Sequence, residues 1–216
     1  PDRDRLIAGG TEDIGQGVTG EGHPWIGAAD PEVVVVEFSD YECPFCGRAH
    51  EELREVVRAR KDWLRLVHVH MPLDHKCNPA LRGKRFHRHA CACARAAICA
   101  QRQDRFWEMN DKLFLRRGGL GDTGLAVLAE AMGLEVEAFR TCLASEKTRK
   151  TIERDLDAVE RHGLKPATPT FMVEGKTVRG YKKRAWWDST LRRLRAGGRS
   201  RRGTATQPSA APPQNQ

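Results

Sequence analysis

An apolar, mostly β-branched run, "VVVVEF" at 33–38, leads within five residues into two cysteines two apart, "YECPFC" at 41–46. No other part of the chain restricts the fold as much. The run has strand length and is apolar enough to be buried on both faces. After Cys46, Leu53, Val56 and Val57 fall at helical spacing with charges between them, which predicts a helix to about Lys61. "WLRLVHVHMP" then carries Leu64, Leu66, Val67 and Val69 among polar residues and stops at Pro72, the pattern of a second strand. Strand, helix and strand in about forty residues make a βαβ unit.

The next eighty or so residues break that rhythm. "HACACARAAICAQ", "DRFWEMNDKLFL", "TGLAVLAEAMG" and "EVEAFRTCLAS" read as helices; in the third, Leu125, Leu128, Ala129 and Met132 follow i, i+3, i+4, i+7. "TIERDLDAVERHG" repeats the spacing with Ile152, Leu156 and Val159, and Gly163 ends it. β character returns in "PTFMVEG" and "KTVRG", a hairpin turning at Glu174-Gly175-Lys176, and Trp187, Leu191 and Leu194 mark a last amphipathic helix. The organisation expected is an arm or linker over 1–24 and one domain over 25–196. Within that domain a helical insertion at about 80–148 separates a βαβ half from a ββα half. A tail over 197–216 has little to bury and is expected to be disordered.

The chain has 37 Lys and Arg against 29 Asp and Glu, a formal charge of +8. The charges are interleaved and no recognition motif accompanies them, so nucleic acid is not an expected partner. The densest cluster, "RRLRAGGRSRRG" at 192–203, reads as a solvated end and suits anionic lipid better if the protein sits beside a membrane. No stretch approaches the roughly 20 apolar residues that span a bilayer. Opening at Pro1 without Met, the chain reads as a trimmed product, which leaves room for a lost leader or membrane anchor.

A CxxC serves zinc and redox chemistry alike. Here Cys43 follows a buried strand and opens a helix, where free N–H groups and the macrodipole stabilise a thiolate. The thiolate is the attacking species. Pro44 suits the first helical turn, and Cys46, one turn in, is expected to be the more buried, resolving thiol. A c-type haem site would need His where Gly47 stands. Glu37, six residues before Cys43, has two readings: a strand-edge carboxylate facing solvent, or a buried acid that relays a proton for the resolving thiol.

With "VVEFSDYECPFC", Glu37 at that offset and the late "TPTF", the chain resembles the DsbA-like branch of the thioredoxin superfamily over roughly residues 24–195. "MPLDHKCNPA" followed by "HACACARAAICAQRQDRFWEMNDKLF" is similar to the thioredoxin-like domains linked to bacterial vitamin K epoxide reductase homologues. The resemblance implies an α/β thioredoxin-like fold with a helical insertion, and thiol–disulfide exchange on extracytoplasmic proteins. It implies Cys43 as nucleophile, Cys46 as resolving thiol, Glu37 as buried acid and Pro169 as a cis-proline against the disulfide. Thr168, preceding it, would offer main-chain hydrogen bonds to an extended substrate. One departure from DsbA is the Pro44-Phe45 dipeptide, which lacks a thiolate-stabilising His. Thioredoxin and DsbA differ by about 150 mV, or about 7 kcal/mol. A helix dipole supplies only about 0.3–2 kcal/mol, so an intermediate potential is expected.

Five further cysteines lie in or beside the insertion, a count that fits an oxidising compartment. The resemblance implies a structural Cys77–Cys91 bridge. Cys99 and Cys142, on two predicted helices, could form another, leaving Cys93 over. The rival is zinc, for which His75, Cys77, His87, His89, Cys91 and Cys93 are enough ligands, although "HACAC" on a helix splays alternate residues apart. His68 and His70 are expected to be satisfied by neighbours. The leading expectation is therefore a monomeric, periplasmic or extracytoplasmic thiol:disulfide oxidoreductase acting on folding proteins as an oxidase. It would use no cofactor beyond its redox-active disulfide, and a membrane partner of the DsbB or vitamin K epoxide reductase kind could reoxidise it. A reductase or isomerase, or a zinc-stabilised binding module, are the alternatives.

Overall fold

The structure, a computed structural model, describes residues 13–84, 86–117 and 119–204, the side chains of 199–204 excepted. Its centre is the strand β3 (Val33–Ser39), preceded by β1 (Gln16–Val18) and β2 (Pro24–Gly27). Helix α1 (Pro44–Arg58) and strand β4 (Leu64–His70) complete the βαβ unit. A 3-10 turn (Pro79–Leu81) leads into α2 (Ala90–Gln101), α3 (Phe106–Leu115), α4 (Asp122–Ala131), α5 (Val136–Ala144) and α6 (Glu146–Arg161). The chain returns through β5 (Thr170–Val173) and β6 (Lys176–Arg179) to α7 (Arg184–Thr204).

The six strands run in the order β1-β2-β4-β3-β5-β6, with β3 and β4 parallel and every other pairing antiparallel. Strand side chains alternate between faces, and the cores on the two sides follow that period. Val33, Val35, Leu64 and Leu66 pack with Leu53, Val56 and Val57 of α1 and with Trp187 and Leu191 of α7. Phe38, Val69 and Met71 pack on the opposite face with Val159 of α6 and with Leu164. By the same alternation Glu37, His68 and His70 lie on the α1 face. The register pairs Glu37 with His68 across two parallel strands. The sheet thus sets an acid beside a base under the helix that carries both cysteines.

Helix α2 is buried nearly all round, as "ACACARAAICA" requires: small residues let α3, α5 and α6 approach it closely. Two disulfides fasten it, Cys77–Cys91 to the loop after β4 and Cys99–Cys142 to α5. Through such crosslinks the insertion gains stability by restricting its unfolded chain.

The structure differs from the expected boundaries at both ends. Residues of the expected arm join the fold: Ile14 and His23 are buried, and β1 and β2 extend the sheet beyond β4. The glycines that make the segment look like a linker are the cause of its close fit. A Cβ on Gly15 would stand 2.7 Å from the Gly27 carbonyl oxygen, and one on Gly17 would stand 2.7 Å from the Trp25 ring. The expected tail begins late, because α7 carries on through Thr204, past Gly197 and Gly198. The rest of the tail, 205–216, lies outside the described residues, as do residues 1–12 of the arm. Among the described residues no helix is long and apolar enough to cross a membrane.

Candidate active site

Cys43 is the N-cap of α1, with extended backbone, and Pro44 occupies the first helical turn, where a missing N–H costs nothing. Both cysteines are free thiols. Cys46 is fully buried on the inner face of α1. Cys43 is less exposed than a helix end suggests, at 6%, because the Thr168–Pro169 segment lies over it and its thiol donates to the Thr168 carbonyl at 3.5 Å. The Thr168–Pro169 peptide bond is cis. The exposed residues of the motif are instead Pro44 and Phe45, the latter at 52%.

The two thiols are driven apart in acidity. Cys43 is lowered to about 6, chiefly by the hydrogen bond from the Cys46 thiol; burial opposes this, while Thr168 and the main-chain N–H groups of Cys46 and Phe45 add to it. Burial, together with the hydrogen bond and charge of Cys43, pushes Cys46 well above the ordinary thiol value. The helix N-terminus contributes, but a neighbouring sulfur outweighs it. The sequence offers no way to read that order of effects.

Glu37 is fully buried, which decides between its two readings: it does not face solvent. Burial raises its carboxyl to about 7 against the partial opposition of His50 and Ser39. Across the parallel strand pair, His68 Nδ1 stands 3.8 Å from Glu37 Oε2. From His68 a line of buried polar groups leads away. Tyr41 Oη lies 3.5 Å from His68 Nε2 and donates to Asn110 at 2.9 Å. Asn110 lies 3.4 Å from His50 Nδ1, and His50 Nε2 lies 2.8 Å from Asp111, to which Arg54 donates. Although burial pushes Asp111 up, His50 and Arg54 hold it below the ordinary carboxylate range.

His68 and His70 were expected to be satisfied by neighbours, and the structure corrects this for His70. Neither of its ring nitrogens has a hydrogen-bond partner among the described residues; only its main-chain N–H is held, by Asp155 at 3.1 Å. Burial lowers both imidazoles to about 3. A folded-state value below the unfolded 6.5 gives stability that is complete above 6.5 and lost as pH falls toward 3. Each histidine should cost about 2 kcal/mol of folding free energy by pH 5. Urea unfolding at pH 7 and pH 5 checks this in a comparison with His70→Gln, which should lose about 2 kcal/mol less than wild type between the two pH values; an equal loss in both would remove the argument.

The remaining sequence candidates are elsewhere. Cys77, Cys91, Cys99 and Cys142 are bridged in the insertion, so none of these sulfurs is a free zinc ligand. Among the described residues no group of three or more His, Cys, Asp or Glu is placed to hold a metal ion. Cys93 is free and fully buried. One residue the sequence reading passed over stands at the site: Asp40, three before Cys43. Its main-chain oxygen takes the Cys43 N–H at 3.2 Å and its carboxylate meets His87 Nδ1 at 2.9 Å. The only signal for it was its proximity to the CxxC.

This geometry can be set beside known proteins. The sequence model of a thioredoxin family matches residues 19–193. Among curated proteins, the chain is 34% identical over 154 residues to the Na(+)/H(+) antiporter NhaA 1 of Salinispora arenicola, covering 71% of this chain and 22% of that protein. It is 33% identical over 181 residues to the Na(+)/H(+) antiporter NhaA of Herminiimonas arsenicoxydans, covering 84% and 26%. The chain thus spans 22% to 26% of the length of these curated relatives. Among solved structures, a thioredoxin-like oxidoreductase from Silicibacter pomeroyi superposes with a TM-score of 0.66 at 24% identity, over 91% of this chain and 99% of that one. The catalytic domain of Proteus mirabilis ScsC gives 0.64 at 17%, over 90% and 95%. Wolbachia pipientis α-DsbA1 gives 0.67 at 17%, over 85% and 96%. At these identities the likeness is one of fold.

Proposed function

The chain belongs to the thioredoxin family, in its DsbA-like form with a helical insertion, and from there we propose that it is a thiol:disulfide oxidoreductase which passes a Cys43–Cys46 disulfide to cysteines of protein substrates. The observation that carries this reading is a pair of free thiols one helical turn apart at the start of α1, Cys43 against the cis Thr168–Pro169 segment and Cys46 fully buried, with opposed acidities and with a buried carboxyl, Glu37, at about 7 on the sheet face that α1 covers.

A substrate thiolate attacks Sγ of Cys43, the Cys43–Cys46 bond breaks, and the Cys46 sulfur leaves with the bonding pair. Glu37 delivers a proton to it. A second substrate thiolate then attacks the substrate sulfur of the mixed disulfide, and Cys43 leaves as a thiolate. The substrate loses two electrons and the Cys43–Cys46 pair gains them. The acidity of Cys43 favours this direction twice: a more acidic thiol leaves faster, and a stabilised thiolate stabilises the reduced protein. No cofactor is needed, since the dithiol itself holds both electrons.

The substrates proposed are unfolded or reduced proteins outside the cytoplasm, in keeping with two disulfides built into the insertion. A chain that corresponds to about a quarter of antiporter relatives supports work at a membrane surface as part of a longer protein. Reoxidation needs a two-electron acceptor, a role for which a membrane partner of the DsbB or vitamin K epoxide reductase kind is proposed.

Equilibration with glutathione buffers tests the direction. An oxidase should be poised at or above about −180 mV. The oxidised protein should also transfer one disulfide per molecule to a reduced, unfolded protein with two native disulfides. A potential near the −270 mV of thioredoxin, with fast insulin reduction, would assign the reductase role instead. Failure of both assays would remove thiol exchange as the function.

A further inference from the structure

The segment between β4 and α2 is stitched to the residues just before the nucleophile. The carboxylate of Asp40, fully buried, accepts the N–H of Glu42 at 2.7 Å and of Leu73 at 2.6 Å. The N–H groups of Phe86 and His87 both reach the Leu73 carbonyl at 3.2 Å, and that of His89 reaches the Glu42 carboxylate at 2.5 Å. His87, 47 residues on from Asp40, thereby comes back to it with Nδ1 at 2.9 Å and its side chain only 20% exposed. Asp40 in turn takes the Cys43 N–H on its main-chain oxygen. The pair is therefore one hydrogen bond from the backbone of the attacking residue.

We propose that His87, held as an imidazolium against Asp40, tunes the Cys43 thiolate, supplying from a distant loop the positive charge that the Pro44-Phe45 dipeptide lacks. The proposal rests on Cys43 being the nucleophile. The groups that face His87 from the strand–helix junction are Asp40, Glu42 and Cys43; the Leu73 turn offers main-chain groups, and Arg88 and His89 follow on its own segment. The hydrogen bond and charge of Asp40, then Cys43 and Glu42, hold His87 above the ordinary imidazole value against the pull of burial. Coupling between two ionising sites is reciprocal. If the Cys43 thiolate favours the imidazolium, the imidazolium favours the thiolate to the same degree. Remove it, and the Asp40 carboxylate, whose main chain holds the Cys43 N–H, is left without its cation. The effect lasts while His87 stays protonated and fades as pH rises through its raised value.

The test reads the thiol directly and needs no substrate, so a null result in disulfide transfer and a null result here remain separate. Alkylation of the reduced protein by iodoacetamide as a function of pH should place the Cys43 titration about half a unit to one unit higher in His87→Gln than in wild type. His87→Lys, which keeps a cation, should stay close to wild type. Because a tenfold change is about 30 mV for two electrons, His87→Gln should also be about 15–30 mV more reducing. NMR titration of the wild-type His87 ring should give a lower pKa in the oxidised protein, which has no thiolate, than in the reduced one. An unshifted Cys43 titration in a folded His87→Gln would overturn the proposal. So would a His87 that titrates identically in both redox states, and that measurement serves even if the variant does not fold.

Discussion

Replacing Cys46 by alanine is expected to abolish turnover while leaving attack by the Cys43 thiolate intact, so that from a disulfide-bonded protein substrate one sulfur is captured on Cys43 and the other leaves as a thiolate, and the mixed disulfide accumulates; Cys43→Ala should abolish both. The asymmetry follows from the acidities. At pH 7 a thiol with a pKa of about 6 is about nine-tenths thiolate, whereas one at the ordinary 9 is about one per cent thiolate. Cys46 lies well above that ordinary value. Alkylation of the reduced protein at neutral pH should thus favour Cys43 by about a hundredfold. Acidity has to produce this contrast, because Cys43 is itself only 6% exposed. Mass mapping of the first alkylated site checks the assignment, and finding Cys46 modified first would reverse the two roles.

Glu37→Gln is expected to make the protein more stable and less active, with opposite dependences on the same carboxyl. Its folded value of about 7 lies above the reference 4.5, so the folded state binds the extra proton between those limits. Stability attributable to Glu37 is therefore whole below 4.5 and is lost as pH rises toward 7. The neutral isostere escapes that loss, and should exceed wild type by about 3 kcal/mol at pH 8 but match it at pH 4. The same substitution removes the proton donor proposed for Cys46, which should slow release of the Cys46 sulfur by roughly a hundredfold or more. Denaturant midpoints at the two pH values, alongside stopped-flow reduction of the oxidised protein, separate the effects. Equal stability at pH 8 would mean that Glu37 is not the buried acid its surroundings make it.

Much of this site lies in one contiguous stretch, and that stretch was legible. A β-branched run ending in a cysteine at a helix start dictates the strand, the helix and the place of both sulfurs, because local sterics and backbone hydrogen bonding act over a few residues. Glu37 was visible but ambiguous, since the sequence does not say which face of β3 is covered. The period of Val33 and Val35 answers this once α1 is known to pack there. What was not legible depends on contacts between distant segments. Asp40 and His87 meet across 47 residues, and nothing in the spacing of "DHKCNPALRGKRFH" announces it. His70 was read as satisfied because buried histidines usually are; its bare ring nitrogens arise from the side chains around it. Strand β2 was missed because "PWIG" is too short for any period to show, and its place is fixed by pairing with β4.

Cys93 has a consequence for a protein proposed to exchange sulfur bonds. Such a molecule is the most concentrated thiol source that its own active site meets, and a third free sulfur invites self-inflicted scrambling. Cys93 sits at the same end of the domain as the reactive pair, close enough to feel the charges of Glu42 and Asp40. Burial is the larger influence, and together these push it up to about 12. Its thiolate fraction at pH 7 is then about one in a hundred thousand. Cys46 and Thr168 make Cys43 ready to react while burial and two carboxylates hold Cys93 silent, and the chain carries an odd sulfur without becoming its own substrate.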